Sequence, residues 1–177
     1  MRPSIALAVV LRSGISAHAD VVGSARVIDG DTVVINGEHV RLQGVDAPET
    51  LQTCTACGRE WPCGRTAAEW LSDYLRERQV NCIGHARDRY GRLLTVCYVG
   101  GESVNERLVR EGWALDYRKY STDYLEAEAE AKRRGAGLWR GQFAPPWQSS
   151  RVSSLFDGTE MLGLTVRHPY AQAIACS

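Results

Sequence analysis

The stretch VIDGDTVVINGEHVRLQGVDAPE, residues 27–49, decides how this chain is interpreted. Its apolar residues come in short runs typical of β-strands, and the runs are separated by the dipeptides Asp29-Gly30 and Asn36-Gly37. Both dipeptides accept the positive backbone dihedral angles that a hairpin turn requires. We therefore expect two or three short strands here, joined by tight turns.

The same stretch carries more acidic side chains than a small sheet needs. Asp29, Asp31, Asp46 and Glu49 lie in it together with Arg41. On one sheet edge these carboxylates would repel one another unless a cation lay between them. Because Asp-Gly turns are common, Asp29-Gly30-Asp31 alone indicates only a turn. The prediction of a cation site depends on the whole cluster.

Composition indicates one globular domain of ordinary size with tails, in a chain of 177 residues. Basic and acidic residues are equal in number at 21 each, so the formal net charge is zero. A protein of this charge does not bind phosphate through an overall basic surface. Any phosphate site must therefore be a local array, and arginine would supply it because lysine occurs only at positions 119 and 132.

The ends of the chain differ from its middle. Residues 1–19 have the features of a signal peptide: Arg2, the apolar run from Ile5 to Leu11, and Ala17-His18-Ala19 as a cleavage site. No segment is long and apolar enough to span a bilayer. We expect cleavage after Ala19, a periplasmic or secreted product, a domain at residues 20–148, and a tail of unknown structure at residues 149–177.

Six cysteines are informative in an exported chain, because an oxidising compartment permits disulfides. Cys82 and Cys97 lie in two β-runs that a turn at residues 88–91 would bring face to face. Cys54, Cys57 and Cys63 share one loop, in which we favour a bond between Cys54 and Cys63. The spacing of Cys54 and Cys57 is also that of zinc ligands, with His85 as a further candidate.

The remaining pattern predicts three helices after the first strands. One helix is expected from Pro62 to Gln79, a second follows a cap at Ser103, and a third begins at Ser121 or Thr122 and ends at Arg134. A hairpin separates the first helix from the second. Strands first and helices later predict an α+β fold, with a small barrel and packed helices as its architecture.

Four motifs in this order resemble the staphylococcal nuclease (thermonuclease) family: IDGDTV, RLQGVDAPE, DRYGR and SVNERLVREGWA. The resemblance covers residues 21–147. It implies an OB-type five-stranded β-barrel with three α-helices. It also implies calcium-dependent hydrolysis of phosphodiester bonds in DNA and RNA, leaving 3′-phosphate ends.

The resemblance and the chemistry of the residues together predict an active site. Carboxylate oxygens suit Ca²⁺ better than zinc, and phosphodiester cleavage requires an activated water and charge to stabilise the transition state. The predicted calcium ligands are Asp31, Asp46 and the backbone carbonyl of Ala47, with Asp29 holding waters or orienting the turn. Glu49 is the expected general base, and Arg41 and Arg92 are expected to bind the phosphate oxygens. The family has threonine where this chain has Ala47, a change that a carbonyl contact survives.

Substrate binding is predicted from the second hairpin and from the aromatic stretch after Trp113. Arg89 and Tyr90 occupy family positions near a terminal phosphate, and Tyr117 and Tyr120 are candidates for contact with the nucleotide. Few side chains suited to reading base edges are present. We expect a monomer that takes single-stranded nucleic acid with little sequence preference.

Two other functions compete with the nuclease interpretation. An OB-type module that binds nucleic acid or protein without cutting is one, but Arg41, Glu49 and Arg92 are all present, which favours the enzyme. A zinc-stabilised structural domain built on Cys54, Cys57 and Cys63 is the other. Metal analysis of oxidised protein distinguishes it from a disulfide-closed loop.

Overall fold

A computed structural model describes residues 20–148. The predicted signal peptide at residues 1–19 and the tail at residues 149–177 lie outside this range. Within the described range, no helix combines the length and apolar character needed to cross a membrane.

Short strands dominate the first half of the described chain. They are β1 (Val21–Gly23), β2 (Ala25–Val27), β3 (Thr32–Ile35), β4 (Glu38–Leu42), β5 (Val45–Asp46), β6 (Cys54–Ala56), β7 (Arg59–Trp61), β8 (Val80–Arg87), β9 (Leu93–Val99), β10 (Glu102–Ser103) and β11 (Leu115–Asp116). The helices are α1 (Cys63–Leu75), α2 (Val104–Arg110) and α3 (Leu125–Arg134), followed by a 3-10 turn at Gly137–Arg140.

Seven of these strands form one mixed sheet in the order β1-β8-β9-β4-β3-β2, with β10 paired to β9. All neighbours are antiparallel except β4 and β9, which run parallel with Val40 opposite Leu93. The order begins and ends with β1 and β2, consecutive segments separated only by Ser24. The α+β prediction is confirmed. The closed five-stranded barrel stays a prediction.

The second hairpin forms as the cysteine spacing predicts. Strands β8 and β9 are antiparallel, and Cys82 lies directly opposite Cys97. The two are joined by a disulfide, with 4.0 Å between their Cα atoms. Cys54 and Cys63 form another disulfide across the loop before α1. The zinc interpretation of that loop is wrong, because two of its three proposed ligands are bonded to each other.

Two helix boundaries differ from the prediction. Helix α1 ends at Leu75 rather than Gln79, because Arg76 leaves the helical region with a ψ of 130° and Glu77 takes a positive φ of 57°. Helix α3 begins at Leu125, not after Ser121 or Thr122. Ser121 Oγ instead accepts a hydrogen bond from the backbone of Asp123, two residues on.

The described residues contain two hydrophobic clusters. The larger one fills the space between the sheet and the helices, and includes Val40, Leu42, Leu71 and Leu108. The smaller one joins the cysteine loop to α3 and to the segment after it, through Cys54, Cys63, Leu115, Ala131, Leu138, Trp139 and Phe143. An isolated antiparallel bridge between Thr55 and Gln142 lies beside the smaller cluster. The segment before α1 is therefore fixed from two directions.

Candidate active site

Arg41 joins two aspartates from different parts of the first motif. Its Nη1 donates to Asp31 Oδ1 at 2.6 Å, and its Nη2 donates to Asp46 Oδ1 at 2.7 Å. The strand pairing explains the arrangement, because Arg41 in β4 lies opposite Thr32 in β3, one residue after Asp31. Asp46 ends β5, just past the turn that follows β4. Asp31 is only 3% exposed.

The turn before β3 orients Asp31 through two further contacts. Asp29 Oδ1 accepts a hydrogen bond from the backbone N–H of Asp31 at 3.1 Å. Asp31 Oδ2 accepts the backbone N–H of Ala47 at 2.9 Å. Gly30 is required here for close approach, since a Cβ at that position would lie 2.6 Å from the Ala47 Cβ. Asp29 thus accepts a hydrogen bond within the turn that precedes Asp31, and its role at the site stays a prediction.

Asp31 and Asp46 are buried acids, and the positive charge near them is too small to keep their pKa values at the usual level. Burial raises the pKa of Asp31 to about 8, although Arg41 opposes the shift, and the charges of Asp29 and Asp46 raise it further. Burial also raises the pKa of Asp46 to about 6, again against Arg41, with smaller contributions from Glu49 and Asp29. A second positive charge at this place would stabilise both ionised carboxylates.

Arg92 reaches the same place from the second hairpin. Its Nη1 donates to Thr32 Oγ1 at 3.2 Å, and the Thr32 hydroxyl donates to Asp31 Oδ1 at 3.2 Å. Asp88 holds Arg92 from the other side, accepting its Nε at 2.7 Å and its backbone N–H at 3.0 Å. Burial alone would raise the pKa of Asp88, but the bonds from Arg92 and Tyr90 hold it below its usual value.

Thr32 and Asp88 are functional candidates that the sequence analysis missed. Thr32 is 3% exposed and links Arg92 to Asp31. Threonine is common in β-strands for packing, so the residue type alone does not predict a functional role for Thr32. Asp88 begins the DRYGR motif, four residues before Arg92. An acid and an arginine at this spacing in a tight turn could have predicted an ion pair that orients the arginine.

Glu49 lies at the exposed end of the first motif, directly after the buried residues Ala47 and Pro48. Its negative charge contributes to the raised pKa of Asp46, which places the carboxylate in the same electrostatic environment. Its backbone carbonyl accepts the N–H of Gln52 at 2.8 Å, closing a turn. Glu49 is therefore exposed and near enough to Asp46 for its charge to act on that carboxylate.

Tyr90 and Arg89 form the tip of the second hairpin. The Arg89 guanidinium lies 4.7 Å from the centre of the Tyr90 ring, and the Arg92 guanidinium lies 5.5 Å from the same centre. Tyr90 is 67% exposed. These two predicted substrate residues are thus contiguous with Arg92.

Tyr117 and Tyr120 belong to a separate aromatic group next to β11. Their ring centres are 4.9 Å apart in an edge-on arrangement, and Tyr117 stacks on Trp147 with 5.7 Å between centres. The backbone N–H of Tyr117 donates to the carbonyl of Gly44 at 2.9 Å. This bond ties the group to the turn before Asp46. Tyr120 is 64% exposed, and Trp147 is an aromatic neighbour that the sequence analysis did not identify.

The oxygen atoms of Asp31, Asp46 and the Ala47 carbonyl are the predicted ligands of a divalent cation. Among residues 20–148 no group of three or more histidine, cysteine, aspartate or glutamate side chains is arranged to hold a metal ion. The predicted set is of a different kind, with two carboxylates and one backbone carbonyl. Asp31 and Asp46 share one arginine between them, and hard oxygen donors with unbalanced negative charge suit Ca²⁺. The residues fit such an ion.

Together these residues form one cluster in which two buried aspartates of the first motif meet Arg41 and, through Thr32, Arg92 of the second hairpin. A model described as staphylococcal nuclease homologue matches residues 39–141, more than half of the chain. The chain belongs to this family.

Three relatives match over most of their own length. The chain is 37% identical over 169 residues to micrococcal nuclease of Shigella flexneri, which covers 85% of this chain and 92% of the relative. It is 38% identical over 146 residues to succinoglycan biosynthesis protein ExoI of Rhizobium meliloti, covering 78% and 75%. It is 31% identical over 143 residues to an uncharacterized endonuclease of Haemophilus influenzae, covering 77% and 75%.

Proposed function

We propose that this protein is a calcium-dependent nuclease that hydrolyses phosphodiester bonds of DNA and RNA and leaves 3′-phosphate ends. Family membership and relatives named micrococcal nuclease and endonuclease support a nucleic-acid hydrolase. The observation that carries the proposal is the convergence of Arg41 and Arg92 on the buried carboxylate of Asp31. A folding role alone does not require two arginines at one buried acid.

Asp31, Asp46 and the Ala47 carbonyl are the groups that would hold the calcium ion. The ion would supply positive charge for the phosphate and a source of polarised water. Asp29 Oδ1 accepts the backbone N–H of Asp31, and the role of Asp29 in this proposal is to orient the turn or to hold waters near the ion. A rise in the pKa of Asp31 to about 8 supports this assignment, because an ion would supply the missing positive charge.

Glu49 acts as general base in this proposal. Its carboxylate takes a proton from the attacking water, and the resulting hydroxide attacks phosphorus while the bond from phosphorus to the 5′ oxygen breaks. The departing 5′ oxygen takes a proton from solvent water, and the phosphate stays on the 3′ oxygen. Its exposed position beside the buried acids supports the role, since a base must reach both water and substrate. Pro48 stiffens the chain just before it.

Arg41 and Arg92 bind the phosphate oxygens and stabilise the extra negative charge of the transition state. Both guanidinium groups are partly buried, with 20% and 24% of their side chains exposed. Partial burial strengthens electrostatic interactions, because less water screens the charges. Each arginine is also held by an acid, so little ordering is needed when substrate binds.

Substrate binds across two neighbouring surfaces in this proposal. Arg89 and Tyr90 contact a terminal phosphate, while Tyr117 and Tyr120 contact the nucleotide. The exposure of Tyr90 and Tyr120 supports a stacking role, and stacking is tolerant of sequence. We therefore propose single-stranded nucleic acid, with little sequence preference, as the substrate of a monomer.

The proposal also covers the closure of the barrel, the cellular location of the protein and the bounds of its domain. Strand β1 pairs with β8 and strand β2 pairs with β3, with Ser24 alone between β1 and β2, which supports closure into an OB-type five-stranded barrel. Two disulfides within the described residues are consistent with a periplasmic or secreted protein. Residues 1–19 as a signal peptide, residues 20–148 as the nuclease domain and residues 149–177 as a tail complete it.

The alternative function is an OB-type module that binds nucleic acid or protein without cleaving it. Such a module needs no general base beside the acid pair, and the presence of Glu49 there argues against it. The name of the Rhizobium meliloti relative refers to succinoglycan biosynthesis, and no contact in the described residues favours that role for this chain.

A single assay tests the proposal. Purified protein is mixed with single-stranded DNA in calcium, and the products are separated on a gel before and after addition of a calcium chelator. We expect cleavage that stops with chelator and returns with excess calcium, and products whose 3′ ends a polymerase cannot extend until a phosphatase has acted. Tight binding without cleavage would support the binding module instead.

A further inference from the structure

The loop that follows Glu49 is bound to two distant parts of the chain, and Gln52 makes both connections. Gln52 is only 7% exposed. Its backbone N–H donates to the Glu49 carbonyl at 2.8 Å, closing the turn that carries the proposed base. A buried, uncharged side chain at this point is not explained by substrate binding, because it lies beneath the surface.

The first connection runs to the start of α1. The Gln52 carbonyl accepts the backbone N–H of Gly64 at 3.1 Å. The same oxygen lies 3.4 Å from the Sγ of Cys63, whose disulfide to Cys54 closes the loop. Gly64 also approaches Glu49 itself, since a Cβ at Gly64 would lie 1.7 Å from the Glu49 carbonyl oxygen. The first turn of α1 therefore packs directly against the backbone of the proposed base.

The second connection runs to the segment after the 3-10 turn. Gln52 Nε2 donates to the carbonyl of Ala144 at 2.7 Å. Three residues further along the loop, Thr55 exchanges two backbone hydrogen bonds with Gln142, at 2.9 and 2.7 Å. These contacts attach the loop to the smaller hydrophobic cluster, which contains Phe143. The turn at Glu49 is thus held from both sides.

We propose that Gln52 is a positioning residue, which holds the Glu49 carboxylate in place by fastening the turn at residues 49–52 to α1 and to the segment at residues 142–144. This inference rests on the proposed nuclease function. Glu49 is on an exposed turn, and an exposed turn without such attachments samples many positions. Misplacement of a catalytic group by about 1 Å costs up to roughly a hundredfold in rate, so the attachment matters for turnover.

The proposal predicts that loss of the Gln52 side chain affects the catalytic rate and leaves the binding of calcium and substrate unchanged. Gln52 contacts neither Asp31 nor Arg41, so its loss should leave calcium and phosphate binding in place. The variant Gln52→Ala removes the bond to Ala144 and should lower kcat about tenfold while leaving KM and the calcium requirement unchanged. Gln142→Ala is the matched control, because the Gln142 side chain is exposed and only its backbone joins Thr55.

A purely structural role for Gln52 predicts a different result in a double-variant cycle. If Gln52 acts through the Glu49 carboxylate, Gln52→Ala should have little further effect in protein that already carries Glu49→Gln. If Gln52 only maintains the fold, the rate should fall by the same factor in both backgrounds. Thermal melting of each variant verifies that it is folded at the assay temperature, and Gln52→Met, which keeps the length of the side chain, replaces the alanine variant if that one is not.

The experiment is therefore steady-state cleavage of single-stranded DNA by the full chain, with Glu49→Gln, Gln52→Ala, the double variant and Gln142→Ala. A tenfold loss in Gln52→Ala that vanishes in the Glu49→Gln background supports the proposal. Equal losses in both backgrounds, or wild-type kcat in folded Gln52→Ala or Gln52→Met, overturn it. Absence of calcium-dependent cleavage in the unaltered protein, or full activity of Glu49→Gln, would instead reject the proposed function.

Discussion

Arg92 and Asp31 are joined by a single hydroxyl group. The Thr32 Oγ1 accepts a hydrogen bond from Arg92 and donates one to Asp31, each at 3.2 Å. The two charged residues belong to separate hairpins and are 61 positions apart in the chain. This link fixes the distance between the proposed phosphate-binding arginine and the proposed calcium ligand.

Replacement of Thr32 by valine tests the link, because valine keeps the shape and removes the hydroxyl. We expect cleavage of single-stranded DNA to fall about fivefold, since Arg92 loses a neutral hydrogen-bond partner worth roughly 1 kcal/mol. Steady-state kinetics provide the measurement. Thr122→Val is the control, as Thr122 is exposed. Unchanged kinetics in a folded Thr32→Val protein would mean that Asp88 alone orients Arg92.

Replacement of Glu49 by glutamine tests the general base. Glutamine has nearly the same size but cannot take a proton, so the rate should fall on the order of a hundredfold or more. The melting temperature should hardly change, because the carboxylate is exposed. Glu60→Gln is a suitable control, being an exposed glutamate in β7. Full activity of the Glu49 variant would remove this residue from its proposed role.

Calcium binding should depend on pH through Asp31, whose pKa burial raises to about 8. Between about pH 4 and pH 8 the metal-free folded protein holds a proton on Asp31 that the unfolded chain has lost. Raising the pH through this range therefore destabilises the metal-free fold, and it strengthens calcium binding because fewer protons compete for the carboxylate.

Calorimetry at pH 7 in two buffers of different ionisation enthalpy measures this effect. We expect proton release when calcium binds, and a half-saturating calcium concentration that falls as the pH rises from 6 to about 8.5. Asp46, whose pKa burial raises to about 6, should contribute at the lower end. In Asp31→Asn the release above pH 7 should disappear. Binding without proton release in the unaltered protein would contradict the assignment.

The disulfide between Cys82 and Cys97 should matter for stability and not for the metal requirement. In the chain-entropy model a bond that closes a loop of this length contributes about 3 kcal/mol. The bond joins β8 to β9, whereas Asp31 and Asp46 belong to the first motif. The double variant Cys82→Ser with Cys97→Ser should therefore melt at lower temperature, with the same calcium dependence of cleavage below its melting point.

Calorimetric or spectroscopic melting of oxidised and variant protein provides that measurement. The other disulfide is a contrasting case, because Cys63 contacts the loop that carries Glu49. Removal of Cys54 and Cys63 should lower kcat as well as the melting temperature. Equal kinetic effects of the two double variants would argue against a local role for the loop.

The features predicted from sequence are those encoded by neighbouring residues. The turn at residues 88–91 pairs β8 with β9, and a register shift between Ile83 and Ala86 brings Cys82 opposite Cys97. The cap at Ser103 also formed, because a serine three residues before Glu106 accepts its backbone N–H. In each of these cases a short stretch contains all the necessary information.

Some features that depend on distant partners were not predicted. Tyr124 precedes α3, and its N–H donates to the Asp116 carboxylate from β11, so the start of the helix is determined by a strand eight residues earlier. Glu128 is an acidic residue within α3, yet it is buried and accepts bonds from the Asp116 backbone and from Arg118. Hydrophobic periodicity contains no information about such partners.

The same limit applies to the candidate site. The acids and arginines of the first motif could be identified because their charges are unusual in so short a stretch. Thr32 and Gln52 could not, because a single neutral polar residue has no distinctive pattern. Their importance follows only from the hydrogen bonds that the folded chain forms around them.

The parallel pairing of β4 with β9 has a consequence for biosynthesis. Arg41 lies within β4 and Arg92 lies just before β9, so the two guanidinium groups become neighbours only when these strands, distant in the chain, have paired. A nascent or unfolded polypeptide carries every reactive side chain but has no assembled pocket. Cutting activity therefore requires that β4 and β9 have paired, and an unfolded chain lacks it.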